Sequence, residues 1–379
     1  MVGTAALIIV LSVFNGFEDV IKSMYNTFNP NFVITIDEGK TFLLTDFPDK
    51  QLLSIPGVIG LAEVVEEDAL FKYRDQQYIA RIKGVSQNYP EISTLDTLIR
   101  EGSLVLQEGN SNFAVVGAGV AWYLDINLND IRNLLSVFVP KRGNASSFSF
   151  DNAFNNEVIH PAGIFSVQQE FDEKYVIVPL RFTRRLMDYN SAEVTSIEVF
   201  SKNNFDEEKI ENEIVEVIGG SYTVKNRFRQ NEALYKVMQS EKLAIFLILA
   251  FILVLASFNM VGSLSILIVE KLKDIAVLKS IGADKSLVRK IFTTEGMMIS
   301  LVGSISGLVI GFVVLYVQQT FGLITLGAEE GDFIINAYPV NMLALDFFLV
   351  FLTVIVIGFL ATWYPVRYLT RKFEDIKLK

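Results

Sequence analysis

The chain has no cysteine and one histidine, His160. Without thiols there is no thiolate nucleophile, no zinc–thiolate site and no iron–sulfur cluster. A lone imidazole has no partner for a metal pair, so His160 reads as a packed or surface residue. A phosphate cradle is missing too. Gly39-Lys40-Thr41 ends like a P-loop, but the position five before Gly39, where the motif needs another glycine, holds Ile34. Gly117-Ala118-Gly119 follows a strand pattern and opens a helical one, yet Trp122 fills the third glycine position of a dinucleotide fingerprint. That leaves a tight strand-to-helix turn. Positive charge is also short: 33 Lys and Arg face 43 Asp and Glu, for a net charge of −10. Lys22–Ser240 alone carries 21 basic and 30 acidic residues, which argues against a nucleic-acid partner. Acidic pairs such as Glu66–Glu67 and Glu207–Glu208 read as solvated faces. No catalytic group, metal site or cofactor site emerges, and the chain is not read as an enzyme.

Long uncharged runs are what the chain does have. It is 51% hydrophobic, with a mean hydropathy of +0.38. Between Lys242 and Glu270 lie 27 residues without a charge, between Glu295 and Glu329 there are 33, and Phe347–Val366 adds 20. Each is long enough to cross a bilayer as a helix, the only open-ended element that satisfies its own backbone in hydrocarbon. The first 17 residues are uncharged as well. They lack a basic n-region and a small-residue cleavage site, and so read as a first span whose cytoplasmic start is missing or abbreviated. Glu270–Glu295 holds six Lys and Arg and the tail from Arg367 holds five, whereas Gln318–Pro339 holds none. The positive-inside bias puts the basic loop and tail in the cytoplasm, with Trp363 and Tyr364 as an inner interfacial anchor. Parity then puts Lys22–Ser240 outside. Asp346, near the outer end of the last span, is expected to be interfacial and solvated.

The outer block reads as mixed α and β and is large enough for two subdomains. Asn31–Asp37, Leu134–Val139, Tyr175–Val178 and Val194–Phe200 have strand patterns. Val58–Leu70 and Tyr78–Val85 flank a hairpin turn. Phe113–Leu124 reads as strand, turn and helix, and Asp206–Ile218 as an acidic helix stopped by Gly219-Gly220. The fold class is therefore an α-helical membrane protein of four transmembrane helices, the first abbreviated, with a large α+β extracytoplasmic domain (periplasmic, if the resemblance given below holds) inserted between helices 1 and 2. The expected order is helix 1 at 1–21, the outer domain at 22–240, helix 2 at 241–269, a cytoplasmic connector at 270–295, helix 3 at 296–321, an outer loop at 322–339, helix 4 at 340–366 and a basic tail at 367–379. Asn231–Lys242 runs into helix 2 without a breaker. A continuous helix to Ile268 would be a rod of about 57 Å.

The connector is short, basic and amphipathic. Leu272, Ile275, Leu278 and Ile281 recur every third residue and make one face apolar. Lys271, Lys273 and Lys279 lie off that stripe, Gly282 is a stop signal, and Asp284 is an N-cap for the next helix.

EKLKDIAVLKSIGAD (Glu270–Asp284) resembles the coupling-helix signature of FtsX-like ABC permeases. ALIIVLSVFNGFE (Ala6–Glu18), AGIFSVQQEFDEKYVIVPL (Ala162–Leu180) and ATWYPVRYLTRK (Ala361–Lys372) are similar to blocks of its lipoprotein-releasing LolC/LolE branch, in the same order. The resemblance implies a bacterial inner-membrane permease, paired with an identical or paralogous second permease subunit and driven by separate ABC ATPase subunits that use ATP and Mg. Glu270, Lys271, Asp274, Ile275, Leu278, Ile281 and Gly282 would then receive the ATPase stroke. The implied cargo is a lipoprotein drawn from the membrane and handed to a periplasmic lipoprotein carrier. Phe14, Phe17, Phe251, Leu255, Phe258 and Met260 are candidates for contact with its acyl chains and with membrane lipids. Phe148, Phe150 and Phe154, in a segment without the family hairpin's prolines, are candidates for carrier docking. Two other functions within the family stay open: a mechanotransmission permease that regulates a periplasmic enzyme, and an exporter of drugs or peptides.

Overall fold

The computed structural model describes residues 1–130, 132–142, 153–202, 205–325 and 337–372. They form two compact units, Lys22–Glu232 on one side and Met1–Ile21 with Ala233–Lys379 on the other. The longer helices are α1 (Val2–Phe28), α2 (Ala118–Leu124), α3 (Leu180–Leu186), α4 (Glu207–Ile218), α5 (Glu232–Glu270), α6 (Leu272–Ser280), α7 (Lys285–Phe321) and α8 (Ala344–Lys372), with one-turn helices between some of them.

The unit Lys22–Glu232 is built on strands β1 (Phe32–Ile36), β2 (Phe42–Leu43), β3 (Val58–Tyr73), β4 (Gln76–Val85), β5 (Ile99–Gly102), β6 (Gln107–Glu108), β7 (Ser111–Gly117), β8 (Leu135–Pro140), β9 (Phe154–Phe165), β10 (Tyr175–Pro179), β11 (Glu193–Val194), β12 (Ser196–Ser201) and β13 (Tyr222–Asn226). β3 and β4 make the expected hairpin. Pairing runs from Val64↔Val85 to Tyr73↔Gln76, so the strands reach further than their apolar pattern and leave only Arg74 and Asp75 as the turn. β4 pairs with β10, β10 with β7, β7 with β9, β9 with β8, and β8 returns to β3. Six strands thus close a ring of hydrogen bonds, which removes exposed edges from that part of the sheet. Its core holds Val65, Phe71, Tyr73, Ile82, Val116, Val137 and Val178.

From β3 the sheet also extends as an antiparallel wing, β12, β1 and β13. α4 covers it with Ile210, Ile214 and Ile218, one turn apart, against Phe32, Ile34 and Val199. Asp206 caps α4 by accepting from the Glu208 amide at 3.1 Å. Two sequence expectations need correction here. Val194–Phe200 is not one strand: it splits at Thr195, with β11 on β2 and β12 on β1 and β3. Glu66 is not a plain solvated carboxylate, since it is half-buried 3.7 Å from Lys83. His160 is packed as expected, with Nδ1 2.9 Å from the Pro161 carbonyl and its ring edge-on to Phe113.

In the second unit, α1, α5, α7 and α8 are long and apolar enough to cross a membrane. One face of α7 is a buried line of small residues, Gly296, Ser300, Ser304, Gly307 and Gly311. A Cβ on Gly311 would lie 2.3 Å from Ile8, and one on Gly296 2.4 Å from Thr362. The line therefore lets α1 approach one stretch of α7 and α8 another, the usual way apolar helices gain contact where no hydrophobic effect drives them together. Leu7, Ile8, Leu11, Leu315 and Val350 form one apolar cluster, and Ile268, Val288, Phe292 and Val366 a second.

Candidate functional site

α6 sits between two tight junctions. Lys271 separates it from α5. At its other end Gly282 has φ +102°, a left-handed conformation that glycine adopts without steric cost. There the Gly282 and Ala283 amides donate to the carbonyls of Lys279 and Leu278, each at 3.0 Å. Asp284 then caps α7 by accepting from the Leu287 amide at 2.8 Å. The apolar stripe of α6 divides. Leu272 and Ile275 are half-buried, Ile275 against the second apolar cluster. Val277, Leu278 and Ile281 are open, Ile281 at 78% exposure. Glu270 is exposed, and Lys271 and Asp274 pair at 3.0 Å on the exposed side. The structure thus brings the coupling candidates into one segment, with an apolar face that stays exposed among the described residues.

Of the acyl-chain candidates, Phe251, Leu255 and Phe258 fall on one open face of α5, at 62%, 50% and 63% exposure. Three residues lie elsewhere. Phe14 is half-buried on α1. The Phe17 ring meets Tyr338 edge-on at 5.5 Å. Met260 is half-buried, and its sulfur accepts from the Ser300 hydroxyl at 3.7 Å. Of the docking candidates, Phe148 and Phe150 lie outside the described residues, and Phe154 is half-buried at the start of β9.

Asp346 overturns the expectation made for it. It is 5% exposed rather than solvated. One carboxylate oxygen accepts from Asn15 Nδ2 at 2.6 Å and lies 3.7 Å from the Lys242 ammonium. A buried charge needs such company, because desolvation penalises it unless it is paired and hydrogen-bonded. The NGFE block now has a physical reading. Gly16 packs so closely that a Cβ there would lie 2.4 Å from the Pro339 carbonyl. Asn341 donates its amide to the Ser12 carbonyl at 3.0 Å and its side chain to Asp19. Asn15, Gly16, Phe17 and Asp19 together grip the segment leading into α8. Sequence reading missed Asn15 and Lys242; the signal was a carboxylate inside an apolar span, which calls for a partner.

The unit Lys22–Glu232 has its own buried charge centre. Lys83 and Glu198 are 2% and 3% exposed and pair at 2.6 Å. The ammonium also lies 5.3 Å from the Phe28 ring centroid and 5.4 Å from that of Tyr89. Burial opposes the lysine's charge, but Glu198, Tyr89 and Glu66 more than offset it and hold its pKa well above the ordinary value. Burial pushes the Glu198 carboxyl up, and Lys83 is the main influence against that rise. This centre organises packing, with Lys83 and Glu198 both closed off from solvent. Among the described residues, no group of three His, Asp or Glu is placed to hold a metal.

Residues 246–372 match the family model for the FtsX-like permease C-terminal, and residues 1–132 match the MacB-like periplasmic core domain. The chain is 23% identical to the lipoprotein-releasing system transmembrane protein LolC of Buchnera aphidicola subsp. Schizaphis graminum, over 97% of this chain and 88% of that protein. It is 22% identical to LolE of Haemophilus influenzae, over 96% and 88%. With LolC of Xylella fastidiosa strain Temecula1 the identity is 24%, over 96% and 87%. These similarities run through the membrane helices and the sheet domain alike, which makes the chain a multi-pass membrane protein with a periplasmic domain.

Proposed function

Because the chain belongs to the FtsX-like permease family, we propose that it is the permease subunit of an ABC-type lipoprotein-releasing complex. The observation that carries this reading is its end-to-end similarity to both LolC and LolE, over 96–97% of its length. In this reading the sheet domain is inserted between the first and second spans, and the chain works beside a second permease subunit in the bacterial inner membrane. Separate ATPase subunits bind the open face of α6, at Val277, Leu278 and Ile281, and hydrolyse ATP with Mg. α5 is joined to α6 through one residue, Lys271, and is unbroken for 39 residues, about 58 Å at 1.5 Å per residue. It is stiff enough to carry the stroke outward. Phe251, Leu255 and Phe258 offer an apolar stripe to the acyl chains of a lipoprotein, which then passes to a periplasmic carrier.

The test is purification of the full chain from native membranes, identification of what accompanies it, and reconstitution of the whole assembly in proteoliposomes. Expected are an ABC ATPase among the companions and ATP-dependent transfer of an acylated protein to a soluble carrier. An ATPase partner with no lipoprotein transfer, and crosslinks from Phe258 only to a periplasmic hydrolase, would instead assign the chain to signalling.

A further inference from the structure

The contacts around Asp346 are unequal in a way that suggests a moving part. α1 and the segment entering α8 are joined several times over: through the backbone bond from Asn341 to Ser12, the Asn341–Asp19 bond, the Gly16–Pro339 approach, the Phe17–Tyr338 ring pair and the Asn15–Asp346 bond. These act together and make α1 and α8 one body at this level. α5 is attached differently. Within its most apolar 18-residue window no residue is buried in this unit. Phe246, Leu249 and Leu253 lean, half-buried, on the cluster around Leu7 and Leu11. At the level of Asn15, the Lys242 ammonium of α5 lies 3.7 Å from the Asp346 carboxylate of the clasped pair.

We propose that the Lys242–Asp346 ion pair is a latch that fastens the periplasmic end of α5 to the α1–α8 body, with Asn15 positioning the carboxylate. Three features of the triad suit that role. Lys242 is 30% exposed on a flexible stem, so the ammonium can leave for water without unfolding a helix. Asp346 has no such exit, and its bond to Asn15 keeps it aimed at α5 when the lysine departs. Asn15 Oδ1 is buried and has no partner among the described residues. It is a spare acceptor beside the carboxylate, able to take the ammonium as α5 shifts. α5 leads through Lys271 into α6, so displacement of α6 loads this latch. The latch does not depend on which cargo is carried.

The absence of native cysteine permits a clean test. Spin labels at Val10 on α1 and Leu247 on α5, both exposed, report the α1–α5 separation by pulsed electron resonance. The full chain is studied in nanodiscs, diluted with unlabelled chain to suppress distances between copies. The unsubstituted triad is expected to give one narrow separation, and Asp346→Asn a second, longer population. Exchanging the charges, Lys242→Asp with Asp346→Lys, should restore the single separation, since the Asn15 amide can accept from a lysine as well as donate to a carboxylate. Lys242→Gln, at the more exposed partner, repeats the test should Asp346→Asn fold poorly. One distribution shared by the parent, Lys242→Gln and the exchange would overturn the proposal. So would broadening that the exchange leaves uncorrected, since Asp346 would then serve packing and not pairing.

Discussion

Replacing Lys83 by methionine keeps most of its volume and removes its charge, which isolates the contribution of the buried pair. In the parent, Glu198 is 3% exposed, its Oε1 is 2.6 Å from the ammonium, and its Oε2 is buried with no hydrogen-bond partner among the described residues. Lys83→Met leaves that carboxylate buried with Glu66 nearby and no cation. Breaking a buried pair from one side costs about 3–5 kcal/mol. For a unit of roughly 200 residues each kcal/mol moves the melting temperature by about 2–4 °C, so a fall of about 6–20 °C is expected. The assay is thermal unfolding of the full chain in nanodiscs, with hydrogen exchange at β4 and β12 identifying the unit that melts. Lys83→Met with Glu198→Met together should recover most of the loss, because an apolar replacement of both partners is often neutral or better.

The pH dependence has a definite sign. Burial raises the Glu198 carboxyl, and without Lys83 it rises further. The folded variant then binds a proton that the unfolded chain releases, and its stability falls as pH rises through the window above the ordinary glutamate value. The deficit of Lys83→Met should therefore be smaller near pH 5 than near pH 8. A loss below about 1 kcal/mol would refute the reasoning, as would a double variant worse than the single one.

Three further outcomes are expected. Gly16→Ala drives a methyl group into the Pro339 carbonyl and should cost about 1–3 kcal/mol, read as a lower melting temperature of the membrane unit. Leu278→Glu with Ile281→Glu changes two open side chains and should leave the fold within about 0.5 kcal/mol per site; recovery of an ATPase partner by affinity purification should collapse. Gly282→Ala places a side chain at φ +102° and should cost about 1–2 kcal/mol, with faster hydrogen exchange at the end of α6 while α7 keeps its protection.

The membrane helices were legible because a long uncharged run has few other folded uses, and α1, α5, α7 and α8 lie where those runs are. The β3–β4 hairpin was legible because its pairing is local. β9 was not read, although it spans 12 residues. Its partners are β7, β8 and β5, the Asn155-Asn156-Glu157 start masks the strand pattern, and Pro161 sits where the register with β7 slips. The split at Thr195 has the same origin, since it depends on Val64 and Glu66, some 130 residues away, which bond to Thr195. Asp346 was misread for want of contacts 331 and 104 positions off, Asn15 and Lys242. In the coupling segment the apolar repeat was visible, but not that Ile275 turns inward while Leu278 and Ile281 stay open.

The most direct test of the central claim is transfer of an acylated lipoprotein from proteoliposomes that hold the purified assembly to a soluble carrier, with and without ATP. The account expects transfer that requires ATP and is lost with Leu278→Glu/Ile281→Glu. Equal transfer without ATP, or none from an assembly that still hydrolyses it, would contradict a lipoprotein-releasing permease.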